Sequence, residues 1–227
     1  MTSPSSGMIR WKRQATWATM AATLAAAGWL AGCTTAPAVD PGVFVPSPLG
    51  KVTVFNRKSS GSFGSGESQV RWTHEATTWE GRPVVKAKID GGPGNLLEPQ
   101  TYAMVAMLNP AGQPTVSFDP PLGYGRTLKV GDSWTAQHTV TVYPSMNKVP
   151  YQITYKVLAY EKVTVPAGTF DTFKVESTDS AGETVVVWTA PAIGQNVIRR
   201  IQDRSAQARQ GIGHQEGELA VLQLPPK

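Results

Sequence analysis

The clearest pattern in the chain is a period of two, in which apolar and polar residues alternate over many positions. One alternating segment runs from Trp134 to Val142, and the longest runs from Tyr151 to Val165. Alternation of this kind predicts antiparallel strands with one buried and one wet face. Tyr102–Leu108 is apolar at nearly every position, which predicts a strand buried on both faces.

Further strand-like segments are separated by turn sequences. The strands are predicted at 85–89, 173–175, 185–188, 197–201 and 219–224. Asn-Pro-Ala-Gly at 109–112 and Val-Pro-Ala-Gly at 165–168 suit type I turns, and Glu80-Gly81 and Ala181-Gly182 suit hairpin tips. We expect a mobile loop at Arg57–Ser68 and a short helix at Asp203–Gln210. The fold expected is all-β, an antiparallel sandwich or half-barrel of about nine or ten strands.

The first residues differ from the rest of the chain. Arg10, Lys12 and Arg13 precede an apolar stretch at 15–29 that is shorter than the roughly 20 residues of a spanning helix. A basic start and a short apolar segment are typical of a helical signal peptide, which we predict at 1–32. The stretch ends in Leu-Ala-Gly-Cys, with Cys33 the only cysteine of the chain.

This tetrapeptide resembles the lipobox of bacterial lipoproteins. The resemblance implies that Cys33 carries acyl chains, palmitate among them, and becomes the first residue after cleavage. Thr34 follows the cysteine where Asp would mark inner-membrane retention in enterobacterial lipoproteins, so the resemblance favours the outer membrane, at its periplasmic face. The alternative is a plain signal or membrane anchor with an incidental cysteine.

A Pro-rich segment follows the cysteine, with four prolines between residues 34 and 50. Such composition favours an extended tether. The predicted organisation is therefore a signal peptide at 1–32, the lipidated cysteine and tether at 33–50, and a periplasmic β domain at 51–227. Cleavage would remove three basic residues and lower the net charge from +5 to +2. A near-neutral domain lacks the electrostatic footprint of nucleic-acid binding.

Three motifs in the second half of the chain are distinctive. They are V-G-D-S-W ending at Trp134, V-T-V-P-A-G-T-F-D ending at Asp171, and W-T-A-P-A-I-G beginning at Trp188. Together they resemble a group of uncharacterised bacterial exported proteins and lipoproteins over residues 129–200. The resemblance implies a β-rich periplasmic domain and no known activity. The motifs read as turns with aromatic anchors.

Catalytic and metal-binding signatures are weak. His74, His138 and His214 lie too far apart for ligand spacing, and no nucleophile elbow or phosphate loop occurs. His138 falls on the apolar face of its strand, which fits a core histidine with a backbone partner. Glu161 continues the inward face of the longest strand, unless a bulge intervenes. We therefore expect no metal, no cofactor and no enzymatic activity.

Two binding surfaces remain as candidates. A cluster of arginines at 199, 200, 204 and 209 could contact anionic glycan or lipid headgroups, or could protect an edge strand. An apolar cavity for a lipid-like ligand would be lined by Met104, Met107, Trp134, His138, Tyr151 and Tyr155. The function expected is that of a non-enzymatic envelope lipoprotein, held to the membrane by its N-terminal lipid, that binds an apolar ligand or an envelope protein. The alternatives are a structural or assembly lipoprotein that acts by protein contacts only, and an unrecognised envelope hydrolase.

Overall fold

Twelve strands make up almost all of the regular structure. We analysed a computed structural model of the chain, which describes residues 40–125 and 127–225. The predicted signal peptide and Cys33 lie outside these residues. The strands are β1 Val52–Gly61, β2 Gly66–Trp79, β3 Arg82–Ile89, β4 Gly94–Leu97, β5 Met104–Leu108, β6 Pro114–Leu122, β7 Ser133–Val142, β8 Asn147–Val165, β9 Gly168–Asp179, β10 Glu183–Ala190, β11 Gln195–Arg204 and β12 Gly213–Gln223.

The strands form one closed antiparallel barrel in which each strand pairs with its neighbours in sequence. The ring closes where β1 pairs with β12, from Val52 opposite Gln223 to Gly61 opposite Gly213. The all-β, antiparallel prediction is confirmed. The sandwich or half-barrel of nine or ten strands is wrong in detail, because the structure has twelve strands and no free edge among the described residues.

Two local predictions are also wrong. The predicted loop at Arg57–Ser68 is the β1–β2 hairpin, whose strands carry serine, glycine and charged residues and so lack the apolar alternation that marks a strand. The predicted helix at Asp203–Gln210 is the end of β11 followed by turns. The regular helix that the structure does describe is a single 3-10 turn at Pro191–Ile193. No helix among the described residues is long and apolar enough to cross a bilayer.

Glu161 leaves the core because β8 contains a bulge. The register between β8 and β9 shifts between Val157 and Ala159, and Glu161 beyond it is exposed. A bulge changes the direction of the side chains that follow it. The strand then continues as the tip of the β8–β9 hairpin, where the Ala167 N–H donates a hydrogen bond to the Leu219 carbonyl at 3.1 Å.

The nearest-neighbour topology gives the barrel two distinct ends. We call the end with the β2–β3, β4–β5, β6–β7, β8–β9 and β10–β11 connections the proximal end, and the opposite end the distal end. The chain reaches β1 along residues 40–51, which we call the strap. The strap bonds to three proximal loops: Leu128 N–H to Gly42 O, Val45 N–H to Pro191 O, and the Tyr102 hydroxyl to Val45 O. It therefore spans the proximal end. The part of the predicted tether from Asp40 to Gly50 lies against the barrel.

Candidate functional site

Four of the six residues predicted to line an apolar cavity lie together. Trp134 stacks on Tyr155 with ring centroids 5.0 Å apart, and His138 lies 6.3 Å from Tyr151. All four belong to β7 and β8. Met104 and Met107 lie on β5 and are not part of this cluster, and Met107 is 41% exposed. The four rings thus form two contacting pairs, and their role as a cavity lining stays a prediction.

His138 has the backbone partner expected of a core histidine. Its Nδ1 lies 2.8 Å from the Pro120 carbonyl oxygen, which can only accept, so Nδ1 carries the proton. Nε2 is buried without a hydrogen-bond partner among the described residues.

A pocket lies on a different part of the barrel. It has a volume of about 690 Å³ and spans strands β11, β12, β1 and β2. Its lining is polar or glycine throughout and consists of Asn56, Arg57, Lys58, Glu67, Ser68, Gln69, Arg199, Glu216, Gly217 and Glu218. The pocket therefore suits a polar ligand rather than an apolar one.

The strand register explains how these residues meet. One row crosses the strands as Arg199, Glu218, Asn56 and Gln69, and a second as Glu216, Lys58 and Glu67. Between them runs a row of Arg200, Gly217, Arg57 and Ser68, whose side chains point to the opposite face. The same register extends this middle row to Val175 and Val157 of the core.

Two of the three cations that line the pocket are paired with carboxylates. Lys58 Nζ lies 3.4 Å from Glu67 Oε1, and Arg199 Nη2 lies 3.9 Å from Glu216 Oε2. Glu216 also accepts from His214, which bonds to Asp203 as well, and these two hydrogen bonds raise the pKa of the imidazole. Most charged side chains of the two flanking rows are thus paired with an opposite charge in the same rows.

Arg57 is the exception. No ion pair or hydrogen bond involves its guanidinium within residues 40–125 and 127–225, and its side chain lies on the core-facing side of the strands that form the pocket. Burial lowers its pKa. A guanidinium carries five donors and stays charged, so one without a partner is a costly arrangement that an anion would relieve.

Arg200, on the other side of Gly217, also has a guanidinium donor without a partner. Its Nε is buried and has no partner in the described part of the chain. Burial lowers the pKa of this guanidinium, and the charge of Arg57 acts in the same direction, while Glu183 opposes them. Glycine at 217 places no side chain between the two arginines, so their charges reinforce each other.

The carboxylate that acts on Arg200 is already engaged. Glu183 Oε1 accepts from Gln202 Nε2 at 2.5 Å, and Oε2 accepts from Arg204 Nε at 2.9 Å. Arg200 and Arg204 therefore share one glutamate, and the core-facing Arg57 adds a further positive charge beside them. The excess of positive charge is the main electrostatic feature of this side of the barrel.

The predicted arginine cluster is divided between environments. Arg199 and Arg200 point to opposite faces of β11, and Arg204 pairs with Glu183. The edge-strand explanation is wrong for this segment, because β11 pairs on both sides with β10 and β12. Arg57 was missed from sequence because it lies in the segment predicted to be a loop.

The motif residue Trp188 has an architectural role. Its indole Nε1 donates to Glu161 Oε1 at 2.7 Å, and the Lys174 and Arg199 cations lie 5.1 and 5.2 Å from its ring centroid. The ring is buried, in agreement with its interpretation as an anchor. In the ranges 40–125 and 127–225, no three His, Cys, Asp or Glu side chains are grouped so as to hold a metal ion.

No family model matches the chain, and no curated protein matches its sequence. Solved structures that resemble it include the following three. An exported protein from Bacteroides fragilis, described provisionally and with a YmcC-like fold, is 14% identical, with a TM-score of 0.43 over 80% of this chain and 99% of its own.

The second, provisionally a lipoprotein from Parabacteroides distasonis, is 14% identical, with a TM-score of 0.40 over 80% of this chain and 98% of its own. The third, the hypothetical lipoprotein YmcC from Escherichia coli, is 12% identical, with a TM-score of 0.41 over 77% and 85% of the two chains. These descriptions name the same class of protein that the sequence resembles. At such scores the likeness carries no argument about function.

Proposed function

We propose that the protein is a lipid-anchored, non-enzymatic binding protein of the bacterial envelope, held through Cys33 at the periplasmic face of the outer membrane. Its ligand is polar and carries an anionic group, a phosphate or a carboxylate. It binds on the core-facing side of β11, β12, β1 and β2, at the row of Arg57, Gly217 and Arg200. This proposal replaces the apolar ligand with an anionic one, because two arginines of this row have buried or unpaired donors.

One observation carries the proposal. Arg57 is the cation without a partner and lies in the core-facing row beside Arg200, whereas Lys58 and Arg199 of the outer rows are both paired. Planar guanidinium matches phosphate and carboxylate with two parallel hydrogen bonds, which gives both strength and orientation. Arg200 adds positive potential from beyond Gly217, and Ser68 of the same row offers a donor and an acceptor for the rest of a polar ligand.

The test is titration calorimetry of the full chain at low salt with glucose 1-phosphate, glucuronate and uncharged glucose. We expect the two anions to bind and glucose to bind at least ten times more weakly. Arg57→Gln should weaken anion binding about 10- to 100-fold, since a hydrogen bond to a charged group contributes about 1.5–3 kcal/mol.

Lys58→Gln is the matched control, because Lys58 is the next residue of the same strand but points to the other face and is neutralised by Glu67. It should change anion affinity less than threefold, as expected of an exposed ion pair. Equal binding of glucose and the anions, or equal losses in the two variants, would show that Arg57 is not the anion-binding residue.

A further inference from the structure

At the proximal end of the barrel, the strap has one side chain packed inward and two apolar side chains exposed. Phe44 packs inward, with its ring centroid 6.1 Å from that of Tyr124. Its neighbours Val43 and Val45 point away from the barrel and are 42% and 39% exposed. The segment from Pro41 to Gly50 contains no charged residue.

Other exposed apolar side chains lie on the loops that the strap contacts. Val130 lies two residues after Leu128, whose N–H donates a hydrogen bond to the Gly42 carbonyl. Ile193 belongs to the turn in which the Pro191 carbonyl accepts a hydrogen bond from the Val45 N–H. These two side chains are 54% and 50% exposed. Val43, Val45, Val130 and Ile193 define what we call the proximal apolar surface.

The chain that precedes the strap limits how far this surface can be from the anchor. Seven residue steps separate Cys33 from Asp40, and seven extended residues reach at most roughly 25 Å. A barrel held by acyl chains on Cys33 would therefore have its proximal end within this distance of the bilayer. Exposed apolar side chains on an uncharged segment are suited to the headgroup and acyl boundary.

We propose that the proximal apolar surface rests on the lipid bilayer, so that the distal end points into the periplasm. The inference depends on the lipid anchor of the proposed function. It adds an orientation: the strap contacts lipid.

The test uses the acylated full chain, in which Cys33 is the only cysteine and its thiol is blocked by lipid. Val43→Cys and Ile193→Cys each then offer a single reactive thiol for an environment-sensitive fluorophore. Met146→Cys and Ile212→Cys are matched controls, since both are exposed apolar residues in distal loops. Each labelled protein is reconstituted in vesicles of phosphatidylethanolamine and phosphatidylglycerol, with and without nitroxide-labelled acyl chains.

We expect the protein to float with the vesicles and the nitroxide lipid to reduce the proximal fluorescence at least twofold, with less than a tenth of the distal fluorescence lost. Flotation with equal quenching at the two ends, or with none, would overturn the orientation and leave the anchor intact. Failure to float would overturn the anchor and the orientation together.

Discussion

Lys51 shows how a single residue can carry an unusual electrostatic cost. Its side chain is 3% exposed, and Nζ donates to the Gly194 carbonyl at 3.1 Å and to Gln195 Oε1 at 2.9 Å. The Tyr102 ring lies 5.7 Å from the ammonium, and no carboxylate pairs with it in the described structure. Burial lowers the pKa of Lys51 from 10.5 to about 8.

This shift predicts that stability depends on pH in the alkaline range. Between pH 8 and 10.5 the unfolded chain keeps the Lys51 proton while the folded chain has released it, so the contribution of Lys51 to stability rises with pH. The full change corresponds to about 3 kcal/mol. In urea titrations at a series of pH values, the free energy of unfolding of wild type minus that of Lys51→Met should increase by up to this amount.

Buried tyrosines also titrate at high pH, and the subtraction removes their contribution because both proteins contain them. Tyr102, for example, has its pKa raised by burial. A difference between wild type and Lys51→Met that is flat from pH 8 to 10.5 would contradict a lowered pKa at Lys51.

The strands themselves differ in how well their sequence predicts them. The alternation in β7 and β8 is clear because their inward positions are apolar, such as Ile153, Tyr155 and Val157. In β1 and β2 the inward face includes Arg57 and Ser68, so hydropathy does not alternate and the hairpin is predicted as a loop. Arg57 and Ser68, which belong to the candidate site, thus remove the alternation of hydropathy from which β1 and β2 could have been predicted.

The β1–β2 turn depends on a glycine where the ring of strands closes. Gly61 has φ of +64°, and a Cβ there would lie 2.4 Å from the Ile212 carbonyl oxygen. Backbone on the neighbouring loop cannot move away cheaply. We expect Gly61→Ala to lower the free energy of unfolding in urea by about 2–4 kcal/mol, from strain at positive φ and overpacking together.

Gly64 provides the comparison within the same turn. It also has positive φ, at +84°, but a Cβ there meets nothing within 4 Å. Gly64→Ala should lower the free energy of unfolding by about 1 kcal/mol, because only the strain of positive φ is added and no atom is overpacked. If the two substitutions cost the same, close approach of the two distal loops is not what fixes glycine at 61.

At the scale of the whole molecule, closure of the barrel is the feature that local patterns could not predict. The pairing of Val52 with Gln223 joins residues from the two ends of the described chain. Periodicity gives the face of each strand but not its distant partner, so the sequence predicts a sandwich or half-barrel and does not predict closure. The prolines of the strap likewise predict an extended spacer, because they indicate an extended backbone but not which part of the barrel that backbone contacts.

The strap makes the proximal end a separate unit of stability. Its contacts are a few hydrogen bonds and one aromatic ring, whereas the strands below it form a continuous ladder, so it should open at lower free energy than the barrel. Gly42 controls its docking, since a Cβ there would lie 2.1 Å from the Leu128 carbonyl oxygen. Gly42→Ala should therefore release the strap without unfolding the barrel.

Amide hydrogen exchange followed by NMR measures this directly. In Gly42→Ala, the Val45 and Leu128 amides should exchange at least tenfold faster than in wild type, because each loses its acceptor across the strap, while the Val157 amide in β8 keeps its rate. Gly91→Ala, in an open distal turn, should leave all three rates unchanged. If the Val157 amide accelerates together with the strap amides, the strap and the barrel open as one cooperative unit, and the strap is not a separate unit of stability.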